Sequence, residues 1–277
     1  MAFCGKISVL KNYQELRYIM KLVSKILVVA MLLVSLCAFA SCNTPKATGE
    51  LTLELSHDGT YYTVMDIGTL TAKEVVIPAE YEGIPVKAID NCAFENCTEI
   101  TKVTIPESVV YIGTFAFGGC TALQEIAVPT SVTELKDGIF SGCTSLTKVT
   151  LHDGITTMGQ SVFAGCTSLK TVKLPASIKA VPGQTFKGCT ALETITVPQG
   201  VEKIQTFSFS GCTSLYEIII PASVTRIEFK TFESCSALTS IEFGGTTSDW
   251  KNIKTSPNWN IGTPAYTVYC SNGELAK

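Results

Sequence analysis

Histidine is nearly absent: the 277 residues contain two. His57 stands in a His-Asp-Gly-Thr turn and His152 replaces a turn proline, so each reads as a solvated turn residue rather than a general base. The short signatures of hydrolytic or phosphate chemistry are missing too. No G-x-S-x-G, H-E-x-x-H, Walker loop or G-x-G-x-x-G occurs. No C-x-x-C or similar close ligand pair occurs among the twelve cysteines, so a zinc site is not expected. Neither catalysis nor a cofactor or metal is expected. Basic charge is scarce beyond position 41. Positions 1–41 hold five of the 21 Lys and Arg and one of the 24 Asp and Glu, which leaves 16 against 23, a formal charge of −7. An acidic surface argues against nucleic acid as a partner. The apolar run at 26–40 is too short for a comfortable membrane span.

What the chain does have is a period. Cys97, Cys120, Cys143, Cys166, Cys189, Cys212 and Cys235 follow one another with a period of 23, without a slip. A fixed period of this length is the mark of a leucine-rich-repeat solenoid, in which each repeat is one coil stacked on the last. Other ladders keep the same phase. Three positions before each cysteine stands Phe94, Phe117, Phe140, Phe163, Phe186, Phe209 or Phe232. Three after it comes an Ile or Leu, from Ile100 to Leu238, and six after it a Val or Ile, from Val103 to Ile241.

Stretches such as Val103-Thr104-Ile105 alternate apolar and polar residues, which predicts a short strand with one buried face. Pro106, Pro129, Pro175, Pro198 and Pro221 then end that strand, because proline has no N–H for a ladder. A second extended piece is predicted around 109–112 and its equivalents. The expected fold is a mostly β solenoid of leucine-rich repeats, about seven 23-residue coils. A hairpin around the His-Asp-Gly-Thr turn, at 50–67, should cap its N-terminal end. A C-terminal cap from Gly244 onward should cover the other end with Trp250, Trp259 and Tyr266.

Cysteine in this phase reads as a ladder of buried free thiols packing as small hydrophobes. The alternative is a disulfide framework, suited to a secreted chain. A Cys92–Cys97 bridge across one corner is a further alternative. The Ser and Thr beside the cysteines recur in every coil, so they read as structural.

The coil resembles that of the bacteroidal surface protein A-like (BspA-like) leucine-rich repeats, F-x-x-C-x-x-L-x-x-I-x-[IVL]-P-x-x-[VI]-x-x-I. The matching stretches are FGGCTALQEIAVPTSVTEL and FSGCTSLYEIIIPASVTRI. VVIPAEYEGIPVKAI is similar to the family's longer first coil, and FGGTTSDWKNI with YTVYCSNGEL to its C-terminal cap. The resemblance spans about residues 50–277. It implies a cell-surface or secreted protein, in some members an adhesin for host proteins.

The N-terminus points to the same compartment. Lys21 and Lys25 precede the apolar run, and small Ala40 and Ser41 precede Cys42. This pattern reads as a bacterial lipoprotein signal with Cys42 as the lipidated first mature residue, and translation is expected to start at Met20. Phe39 departs from the usual Leu, and an uncleaved signal anchor is the alternative. The domain reading is therefore 1–41 signal region, 42–49 polar tether, and 50–277 repeat domain with caps. Localisation is expected in the cell envelope, as a surface-exposed outer-membrane lipoprotein held through its N-terminal lipid.

The outward strand residues form two columns, one running Lys102, Glu125, Lys148, Thr171, Thr194, Glu217, Ser240. It reads either as a self-neutralised solvated face or as a candidate ligand face of Lys102, Glu125, Lys148, Lys173, Tyr216, Glu217 and Ile219. The favoured function is binding or adhesion to an extracellular protein, of the host matrix or another cell surface. A structural spacer of the envelope without a specific ligand is the alternative. Glycan binding, which exposed aromatic pairs would favour, is a weaker third.

Overall fold

The computed structural model describes residues 50–277. The signal region, Cys42 and the tether at 42–49 lie outside the described residues.

Alternation of small polar and branched apolar residues builds a parallel strand in nearly every coil. The first row runs Glu74–Val76, Lys102–Thr104, Glu125–Ala127, Lys148–Thr150, Thr194–Thr196, Glu217–Ile220, Ser240–Phe243 and Thr267–Cys270, and the equivalent residues 171–173 form no strand. Register is kept from coil to coil: Lys102 faces Glu125, Glu125 faces Lys148, and Glu217 faces Ser240. The second row, of mostly two-residue strands, runs from Tyr62–Asp66 and Ile84–Ile89 through Tyr111–Ile112 to Lys254–Thr255. The carbonyls of Pro106, Pro129, Pro198 and Pro221 receive the N–H three positions on, as Pro106 does from Val109, which turns the chain from the first row to the second.

The solenoid has about nine turns rather than seven. Both additional turns lie at the ends, where the chain takes a longer path between paired strands than the regular repeat does. There Glu74 pairs with Lys102, and Ser240 with Thr267. The expected hairpin is present, Thr52–Leu55 antiparallel to Tyr62–Asp66. Its second strand also pairs in parallel with Ile84–Ile89 and so belongs to the second row. The C-terminal cap is itself a turn of the solenoid. It contains a helix, Thr247–Asn252, started by a capping box between Thr246 and Asp249. A closing antiparallel strand, Gly273–Ala276, lies on Thr267–Cys270.

The core lies between the two rows. Phe94 to Phe232 are all fully buried and stack in one file with ring centroids 5.2–5.9 Å apart. Trp259 closes the file edge-on against Phe232, and Trp250 and Tyr266 pack against Trp259.

The third side of each coil is a corner of tight turns. The residue before each cysteine is left-handed, with φ between 70 and 76° at Gly119, Gly142, Gly165, Gly188 and Gly211. Glycine adopts this conformation without a Cβ penalty. Asn96 and Ser234 take it in the outer coils.

No disulfide forms among the described residues. Cys120 to Cys235 are buried free thiols, and each donates to the carbonyl of the Phe of the preceding coil, at 3.0–3.2 Å. Cys97 departs from the expectation. It is only half-buried, because the turn before it carries no matching corner to cover it. Cys92 is exposed and unbridged, in a left-handed conformation with φ 56°.

Candidate ligand-binding face

The first strand row presents its alternate residues outward. Lys102 and Glu125, on neighbouring strands, form an ion pair of 2.5 Å. Lys148 stands in register on the far side of Glu125. The hydrogen bond and charge of Lys102, helped by Lys148, hold the Glu125 carboxyl below its ordinary range. Glu74 faces Lys102 from the first coil, so the alternation begins one turn earlier than the regular repeat phase reveals. The signal was available: Glu74-Val75-Val76-Ile77-Pro78 has the form of Lys102-Val103-Thr104-Ile105-Pro106. Lys102, Glu125 and Lys148 line a shallow hollow of about 210 Å³ with Thr104, Ala127 and Thr150.

Lys173 sits apart from that group. Its Nζ donates to Asp153, 3.1 Å away in the preceding coil, and the Ala176 N–H, followed by that pair, holds the Asp153 carboxyl low. Lys173 also borders a larger hollow of about 460 Å³, whose other walls include Thr171, Thr194, Thr196 and Gln199. Thr196 is in register with Ile219, which lies beyond it. Ile219 and Tyr216 are exposed, at 42% and 47%, and Tyr269 in the last turn is exposed at 43%. Glu242 stands in register between Ile219 and Tyr269. The predicted face therefore divides into a paired-charge part, around Lys102, Glu125 and Lys148, and a part with exposed aromatic and apolar side chains, around Tyr216, Glu217 and Ile219. Tyr269 escaped the sequence reading because the last turn breaks phase.

The histidines differ from each other. His57 is exposed in the hairpin turn. His152 is not the solvated turn residue expected. It is half-buried, and its Nδ1 accepts the Gly154 N–H at 3.1 Å. Its Nε2 is buried without a partner among the described residues. The cause is its place: the backbone makes the proline turn, with Ile155 N–H on the His152 carbonyl, and folds the ring inward. Trp250 and Trp259 pack on Phe243 and Phe232 in the cap, so this pair serves the core. Among the described residues no group of three or more His, Cys, Asp or Glu converges as metal donors. No helix among them is long and apolar enough to cross a membrane.

Six copies of the BspA type leucine rich repeat region match over residues 87–187 and 160–256. Comparison with curated proteins finds no match. Among solved structures, the chain is similar to a leucine-rich-repeat protein of T. pallidum, at 32% identity and a TM-score of 0.57, covering 62% of this chain and 81% of that one. It is also similar to a leucine-rich-repeat protein from Bacteroides ovatus, at 25% identity and a TM-score of 0.52, covering 83% and 72%. A leucine-rich-repeat protein from Eubacterium ventriosum shares the fold, at 22% identity and a TM-score of 0.55, covering 73% and 63%.

Proposed function

The chain belongs to the BspA-type leucine-rich-repeat family, and from that premise we propose that it is a lipid-anchored bacterial surface protein whose first strand row binds an extracellular protein. A leucine-rich-repeat solenoid is an interaction scaffold, and its stacked coils offer one extended surface rather than an enclosed pocket. The observation that carries the reading is the exposure of Tyr216, Ile219 and Tyr269 on that row, beside the hollow bordered by Lys173. Tyrosine on a surface of this kind supplies a large contact at low entropic cost, and it is enriched among binding hot spots. The charged part, Lys102 with Glu125, is already neutralised within the row and serves orientation more than affinity.

The test is capture of extracellular-matrix and bacterial surface proteins by the mature domain. Changing Lys173, Tyr216 and Glu217 together to alanine should weaken capture at least about tenfold, the size expected when a hot-spot cluster is removed. Changing Lys179, beside the second row, and Lys203, within it, should leave it unchanged. The opposite outcome would move the ligand to the second row. If no partner is captured, the spacer reading replaces this one. The anchor is tested separately: Cys42→Ala should abolish lipid labelling and membrane retention, and retention of the variant would favour an uncleaved signal anchor.

A further inference from the structure

Adjacent coils are tied along two strand rows and one corner. Among the described residues, a single interface between adjacent coils lacks both strand rows: the one between the coil of Cys143 and the coil of Cys166. In the first row, residues 171–173 pair with neither Lys148–Thr150 nor Thr194–Thr196. In the second, Thr157–Met158 pairs back to Glu134–Leu135 and Ala180–Val181 pairs forward to Lys203–Ile204, with nothing between. Gln124, Thr147, Glu193 and Tyr216 each donate an N–H to the carbonyl of the equivalent residue one coil earlier, whereas Lys170 has no such bond to Thr147.

Proline removes one bond of the second row. Gly159 and Gln205, one coil to either side, donate their N–H to the carbonyls of Leu135 and Val181. Pro182 occupies the equivalent place and has no N–H for the Met158 carbonyl. Hollows flank this coil on both rows. One of about 410 Å³ is lined by Thr157, Met158, Lys179 and Pro182, and the other, of about 460 Å³, by residues 171–174 and Thr194–Thr196. What holds the interface is the Phe file and the corner, where Gly138, Phe140 and Gly142 donate to Gln160, Val162 and Ala164, and the Cys166 thiol donates to the Phe140 carbonyl. The Lys173–Asp153 ion pair, at 3.1 Å, adds to these.

We propose that this interface is a built-in joint, at which the solenoid flexes and on either side of which the coils unfold as separate cooperative units. In a linear stack stability is the sum of each coil and its nearest-neighbour contacts, so the weakest interface divides the cooperative unit. Lys102, Glu125 and Lys148 stand before the joint and Tyr216, Ile219 and Tyr269 after it. Flexing there changes the distance between the charged and the aromatic parts of the row, whether or not that row binds a ligand.

Hydrogen exchange and unfolding of the mature chain test the joint. The amides of Leu151, Lys170 and Lys179 should exchange at least about tenfold faster than those of Val197, Glu193 and Glu202, their bonded equivalents. Urea unfolding followed by Trp250 and Trp259, both after the joint, should have a different midpoint from unfolding followed by a dye on the exposed Cys92, before it. Pro182→Gln supplies the N–H that Gln205 supplies one coil later, and should bring the two midpoints together. Pro182→Ala makes the same test without a polar side chain at a buried position. Coincident midpoints in the unaltered chain, or exchange at Lys179 no faster than at Glu202, would overturn the joint.

Discussion

Each buried cysteine does two things at once: it fills the corner as a small hydrophobe and gives a second hydrogen bond to a Phe carbonyl that already accepts a turn N–H. Burial pushes these thiols up, Cys189 and Cys235 to about 12. A thiol in the unfolded chain titrates near about 8.5. Between those values the unfolded chain has released its proton and the folded chain has not, so stability falls as pH rises through that window. Below pH 8 the contribution is complete. The urea midpoint should therefore hold from pH 6 to 8 and fall steadily above pH 9, and a flat profile to pH 11 would contradict the burial. At neutral pH a thiol reagent should label Cys92 quickly in the native protein and reach Cys120 to Cys235 only after denaturation. Phenylalanine gives a matching comparison. Phe163 is fully buried between Phe140 and Phe186, so Phe163→Ala should cost about 3–5 kcal/mol. Phe207 lies off the file, half-buried, with its ring near Lys187 and Lys230 and edge-on to Phe229. Phe207→Ala should cost clearly less in the same denaturant titration.

The element that bears most on the C-terminal end is the cap. Thr246 accepts the Asp249 N–H, and Asp249 accepts from the Thr246 N–H and hydroxyl, a reciprocal start to a six-residue helix. Thr246→Ala should cost about 1 kcal/mol, the usual loss at such a position. Trp259 has the larger task. Its carbonyl receives the Phe232 N–H and its ring closes the Phe file. Trp259→Ala should raise hydrogen exchange in the last two turns and leave the coils of Cys120 and Cys143 unaltered, because each coil contacts only its neighbours. Uniformly faster exchange along the whole chain would refute that locality. The two strand rows show what the repeat left unsaid at this scale. Alternation placed their strands correctly, yet whether a strand pairs depends on the coils on both sides, as residues 171–173 show.

At the scale of the whole molecule the solenoid is a row of near-identical layers closed by two unlike ends. Deleting residues 247–277 would expose Phe232, Phe243 and the edge of Ser240–Phe243 together, and an open apolar strand edge recruits other chains. The truncated protein should be recovered mainly as aggregate, and a soluble monomer with native exchange in its remaining coils would show that the cap is dispensable. The sequence by itself determined the architecture, the phase of the core and the position of nearly every buried side chain. It could do so because stacked coils must bury the same position in each repeat, and what recurs once per coil is visible without coordinates. Tertiary structure alone decided the rest. It added a turn at each end where Glu74 and Thr267 fall out of phase, gave the thiols their carbonyl partners, turned His152 inward, and left the coil of Cys166 unpaired from the one before it. None of these features repeats, and each depends on which backbone groups meet across a coil interface, so no period in the sequence records it.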